Sequence, residues 1–370
     1  PAATTGWASM RWEQARDLWR ELSAWRIVGE GSRTAWDWLE GQGRACTAEV
    51  GGEEGPRRVE ATRMRIDFKD GEPEVAHAND AVRIEIGDDT AEGEELALSL
   101  ATKSFTLLPA EGGRVLLTSP DGTSECDRLS GTAGGGVVAQ GQVVGLIAHG
   151  SLGGPSDVPV RFAAGSATAL GHGSRVVMEG DARIWQGARL LRADRLDYDR
   201  DHEVVSGQGN VLTTARAVAS SGEVRDLEIR SRELRYDREV GEATYQGDVT
   251  MVEARGQAAC QRLVATTDAK GNLILTTLEG GVTLGDKASG RVVTGQRARY
   301  LMEEGFVEIW GSPVLVQDAA GDQVKAAHLE WRRPTNAIVV VGSEDNPTET
   351  HYHQPPVKPS ASPKPAGGKS

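Results

Sequence analysis

The stretch LRADRLDYDRDHEVVSGQGNV, residues 191–211, alternates apolar and polar positions, stops at an acidic knot, and resumes toward a glycine closely followed by valine. A related phrase, IRSRELRYDREVGEATYQGDV, follows at residues 229–249. Both share one frame: an apolar residue, a gap, a small residue, two further positions, an apolar residue, a gap, then an aromatic or branched residue. It reads Leu191, Ala193, Leu196, Tyr198 and then Ile229, Ser231, Leu234, Tyr236. The frame also fits Val59, Ala61, Met64, Ile66, then Val293, Gly295, Ala298, Tyr300, and Val324, Ala326, Leu329, Trp331. Looser copies run Ala258, Cys260, Leu263, Ala265 and Leu100, Thr102, Phe105, Leu107.

Alternation with period two puts one row of side chains on each face of a strand. The step of three from Ala193 to Leu196 breaks that parity. A bulge at the small residue would return the apolar row to the inside. A second unit is a glycine before an alternating strand, at Gly141, Gly180, Gly209, Gly247, Gly280 and Gly311, with Gly342 as a last copy. Glycine there permits a positive φ or a close backbone approach. Two strand segments in each of some eight repeats predict about sixteen strands, too many for one flat sheet and suited to two facing sheets or a stacked roll.

The flanks differ. Residues 1–39 hold six of the nine tryptophans, and Trp12, Ala15, Trp19, Leu22 and Trp25 recur at helical spacing, which predicts a short amphipathic helix. Its polar face mixes acids with arginine, favouring a helix packed on the following domain over one lying on a membrane. Residues 343–370 are rich in Pro, Lys, Ser and Gly and predict a disordered tail, in which the pair His351 and His353 is incidental. Between the flanks, residues 40–170 form a first, irregular β region and residues 171–342 a second, more regular one.

Composition sharpens this picture. Only 38% of the 370 residues are hydrophobic and 46 are glycine, which suits short strands and many turns. The formal charge of -13, with no sustained Lys/Arg cluster, excludes a nucleic-acid partner. Cys46, Cys126 and Cys260 are far apart, form no zinc signature, and read as small apolar residues in strands. No apolar run reaches the ~20 residues of a membrane helix.

The repeated phrases resemble the OstA-like family of periplasmic lipopolysaccharide-transport proteins. The best match is LRADRLDYDRDHEVVSGQGNV, with its small residue, Asp, apolar residue, Tyr-Asp and Gly-Asn-Val ending; residues 229–249 resemble a second copy. The resemblance covers residues 176–342 best and 40–170 more weakly, and leaves out both flanks. It implies an all-β jellyroll of two facing antiparallel sheets with an apolar groove, here in two tandem copies. It further implies a non-enzymatic periplasmic bridge that shields lipid A acyl chains of lipopolysaccharide. Its partners would be an inner-membrane ATP-driven (ABC) transporter complex and an outer-membrane barrel. An anchor upstream of this chain and head-to-tail self-association through exposed sheet edges fit the same scheme.

The inward row then supplies the groove: Leu191, Leu196, Tyr198, Ile229, Leu234, Tyr236, Val249, Met251, Val282, Leu284, Tyr300, Val314, Val316, Leu329 and Trp331. Leaving a twelve-carbon acyl chain in water costs on the order of 9 kcal/mol, so a trough that shields it needs no chemical step. Arg183, Arg189 and Arg192 would meet anionic head groups, or else simply be solvated. No cofactor and no metal are expected. Asp197, Asp199 and Asp201 imitate a calcium loop, but His202 and Gln208 stand where glycine and a bidentate glutamate belong, so these acids, with Asp194 and Glu203, read as a solvated turn. Two rival functions remain: a structural or adhesive β-repeat with a solid interior, and a polysaccharide-acting β-fold enzyme using an acid pair.

Overall fold

The kinked alternation of the sequence becomes, in the computed structural model, a meander of long antiparallel strands that each bend once. The structure describes residues 2–11, 21–31, 36–49, 56–132, 136–147, 158–218, 222–269, 271–335, 337–344 and 347–351. Among these, 24 strands form one hydrogen-bonded sheet, and the regular helical structure is a single 3-10 turn at Gly171–Gly173. The chain is all-β, as the periodicity predicts.

Strand Arg189–Asp199 shows how one rung is built. It pairs with Arg175–Gln186 on one side and with Val204–Val218 on the other. On both sides the register shifts between Arg192 and Arg195, where the parity of the sequence breaks. Leu191, Ala193 and Leu196 are buried on one face across that shift. The same shift recurs at Glu60/Arg63, Asn79/Val82, Arg230/Glu233, Ala259/Arg262 and Thr294/Arg297. Each strand therefore crosses a corner and belongs to both walls of a folded roll. One wall holds segments such as 189–192, 224–230, 249–253 and 291–294; the other holds 195–199, 233–237, 242–246 and 297–301.

Glycine makes the corner from within the strand rather than opening a second one. Gly209 has φ +71 and is followed by Asn210 at φ 46, both inside Val204–Val218. A Cβ on Gly209 would lie 2.3 Å from Asp194 Oδ2, and the Asn210 amide donates to that same oxygen at 2.9 Å. Gly209→Ala is therefore expected to destabilise by about 1–2 kcal/mol from the left-handed backbone alone. Gly207→Ala, where a Cβ meets only ordinary contacts at 3.4 Å or more, should stay within about 0.5 kcal/mol. Urea unfolding of the two variants checks the difference. At the Gly311 copy the register shift runs from Trp310 to Val314 and the Ser312–Pro313 bond is cis. Gly342 follows the end of strand Ala337–Val341.

Three expectations are corrected. Glu21–Gly31 is a strand, paired with Ala2–Arg11 and Trp36–Glu49, where an N-terminal helix was predicted; Trp12, Ala15 and Trp19 lie outside the described residues. Leu22, Ala24 and Ile27 are its buried row. This row steps by two and then by three across the register shift at Ser23/Arg26, the kinked-strand pattern of the later rungs. In the predicted tail, Glu349–His351 forms a short strand against Gln323–Arg332, and His353 lies outside the described residues. In the loosest frame copy, Leu100 and Thr102 lie in a turn. There the rung is split at its corner into Ser104–Leu108 and Val115–Ser119, and the next into Gly122–Cys126 and Arg128–Thr132.

The buried side chains fall into two cores, one from Leu22 to Val143 and one from Val160 to Trp331, with Phe162 and Ala167 packed against both. The sheet does not break between them, since Gly136–Ile147 pairs with Val160–Leu170. All three cysteines are free and buried. Cys46 and Cys260 occupy the small slot beside the corner, and burial pushes both thiols up to about 11. No helix among the described residues is long and apolar enough to cross a membrane.

Candidate functional site

The corners form the outer, hydrogen-bonded edge of the roll, and charged side chains decorate it. Asp181 holds both Arg183 and Arg192, and the Arg183 contact foremost keeps its carboxyl below the usual range. Arg232 pairs with Asp248, and Glu279 lies between Arg262 and Arg297. Two of the three arginines considered for head groups are thus engaged at solvent-exposed corners. The acids that imitated a calcium loop point to separate partners: Asp194 to Asn210, Asp197 to Arg175 at 2.6 Å, Asp199 to His202 at 2.9 Å.

Opposite the corners, the two walls meet along a slit that side chains bridge. Arg200 reaches Asp121 at 2.8 Å, and Arg189 donates to the carbonyl of Gly271 at 3.2 Å. Arg225 donates to the Tyr300 hydroxyl at 3.2 Å. Arg333 pairs with Glu253 and, at 3.7 Å, with Asp286. In every case the two partners lie several strands apart in the chain, because the walls twist relative to one another.

All fifteen residues of the predicted inward row lie in or against the second core, twelve of them buried and Tyr198, Tyr236 and Leu284 partly so. They form an apolar interior shared by both walls. One cavity in this interior is small, about 20 Å³, lined by Met251, Ala258, Leu278, Leu284, Tyr300 and Trp331, among others. That is room for about one water molecule.

Sequence reasoning found this row but missed the group that closes it. Arg333 and Glu253 are 9% and 5% exposed at their side chains. The Arg333 guanidinium lies 5.5 Å from the Tyr300 ring centre and 5.7 Å from that of Trp331, and donates to the Tyr300 hydroxyl at 3.1 Å. Burial works against its charge, but Tyr300 and Glu253 outweigh burial and its pKa is raised. Burial pushes the Tyr300 hydroxyl up, with Glu253 adding to it. The only available sequence signal was the charged ends of the alternating strands, where Glu253 and Arg333 follow the inward residues Met251 and Trp331 in the same parity.

Asp286 gives this closure a pH dependence. Burial raises its pKa, yet hydrogen bonds from Ser289 and the charge of Arg333 outweigh burial and hold it below the ordinary value. A depressed carboxylate contributes stability that is full above its unfolded pKa of about 3.9 and is lost as pH falls through the lower native value. Asp286→Asn should flatten the loss of stability as the pH falls below about 4, measured by urea unfolding across the acid range.

No family model matches the chain, and no curated protein matches it. Among solved structures it is similar to the crystal structure of LptH, the LptA homologous periplasmic component of the conserved lipopolysaccharide transport device from Pseudomonas aeruginosa. The likeness covers 35% of this chain and 95% of that one, at 14% identity and a TM-score of 0.32.

Proposed function

We propose that this chain is a non-enzymatic periplasmic bridge whose apolar interior shields the acyl chains of lipopolysaccharide on their way to the outer membrane. The observation that carries the reading is the architecture of the second core. One apolar row runs from Val160 to Trp331, enclosed by walls that are joined covalently at the corners and held by side chains at the slit. Such a roll can part along one edge without breaking a sheet ladder. Hydrocarbon then exchanges one apolar surrounding for another, so uptake and release need no chemistry, and direction comes from a partner ATPase in the inner membrane. An outer-membrane barrel receives the lipid, and copies join end to end through their free edge strands.

The test is site-directed photo-crosslinking to lipopolysaccharide. Leu234→Glu or Met251→Glu places a charge in the interior and should abolish crosslinking from neighbouring inward positions. Arg235→Gln, on the exposed face, should leave it intact. Loss in all three, with folding retained by circular dichroism, removes the assignment of these residues. The small cavity favours a second reading, a structural β-repeat whose core stays packed; failure of the purified protein to take up any lipid probe would decide for it.

A further inference from the structure

The slit group is more than a clasp. Tyr300, Trp331 and Arg333 bring hydrogen-bond donors together at the apolar cavity, and Arg225, paired with Glu223 at 3.4 Å, donates to the Tyr300 hydroxyl beside it. Three of these, Arg225 Nε, Arg333 Nε and Trp331 Nε1, are buried and have no acceptor among the described residues. Trp331 is 2% exposed, and it lines the cavity together with Tyr300, Arg333 and the apolar Met251, Leu278 and Leu284. Unsatisfied N–H donors beside hydrocarbon walls fit one chemical class, an oxyanion carried on an acyl chain.

An anion already sits there. Glu253 meets the Arg333 guanidinium while lining a second, wider cavity of about 360 Å³ with Arg189, Arg216, Thr214 and Asp226. On that open side Arg189 offers a second cation, while Arg216 is paired with Asp226 at 3.1 Å and Glu228 completes the lining. The Glu253 backbone is the end of strand Glu242–Glu253, one residue from a tight turn, so the side chain can change sides with little movement of the sheet.

We propose that Arg225, Tyr300, Trp331 and Arg333 form a binding site for the oxyanion head of an acyl lipid, and that Glu253 occupies this site as a displaceable internal anion. The incoming head group takes the place of Glu253 on Arg333, Glu253 turns toward Arg189 on the open side, and the closer of the two bridges from Arg333 to the opposite wall is released, leaving the longer one to Asp286, so the slit loosens for the tail. This rests on the shielding function proposed above, and it names the part of the lipid that opens the slit.

Isothermal titration of the full chain tests it with three probes below their micelle concentrations: dodecyl phosphate, dodecanoate and dodecanol. The anionic probes should bind at least about tenfold tighter than dodecanol, the worth of one charge-assisted hydrogen bond. Glu253→Gln should tighten the anionic probes several-fold and leave dodecanol unchanged. Arg225→Gln should erase the preference, and Arg333→Lys, which keeps the charge but loses the planar donor fork, should weaken it. A preference for phosphate over carboxylate identifies a phosphorylated lipid as the source, and the reverse a free fatty acid. Equal binding of all three probes overturns the head-group site while leaving the apolar conduit standing. No binding of any probe overturns both.

Discussion

Arg333→Met is expected to lower stability by about 3–5 kcal/mol, read as a shift of the urea midpoint for the second core. Among the described residues Arg333 is the cation that pairs with both Glu253 and Asp286, and its loss strands two carboxylates where water scarcely reaches. Breaking a buried pair from one side costs that much because the remaining charge keeps its desolvation penalty. The stated cause has its own control. Adding Glu253→Leu and Asp286→Asn to Arg333→Met removes the stranded charges, and most of the stability should return. If the triple variant stays as weak as the single one, the loss comes from the packing of the Arg333 stem over Tyr300 and Trp331 and not from charge.

Trp331→Ala should be of similar size, about 3–5 kcal/mol, for the opposite reason. Trp331 heads the largest fully buried side chains and packs in the second core with Leu329 and Val307 beneath the Arg333 guanidinium. Its removal opens a void that the sheet cannot collapse to fill, since the facing strands are fixed by their ladders. Trp331→Phe keeps most of the volume and should recover more than half of the loss by the same urea measurement. Phenylalanine lacks the indole N–H, so this variant also separates the structural weight of the ring from its role at the slit.

Much of the architecture was legible because a kinked strand leaves a regular trace. Leu191, Ala193, Leu196 and Ile229, Ser231, Leu234 give the positions of the corners, and the register shifts fall where the parity breaks. The inward row was legible for the same reason. The first strands were not, because Trp12, Ala15, Trp19, Leu22 and Trp25 step by three and four as one face of a helix does, whereas the buried row of Glu21–Gly31 is Leu22, Ala24 and Ile27. The slit group was hidden by distance: Arg225 and Tyr300 are 75 positions apart, and Glu253 and Arg333 are 80. A local pattern says which side a residue faces. It is silent on which strand the twist brings opposite.

Those separations also set an order of events while the polypeptide emerges during synthesis. Each hairpin needs only its immediate predecessor, so the ladder can lengthen as residues are added, with little loop entropy to overcome at each step. The clasp between Glu253 and Arg333 must wait for some eighty more residues. Until then the growing end is a half-pipe that this clasp has not yet closed, and its oily lining is most open to water just before Arg333 emerges.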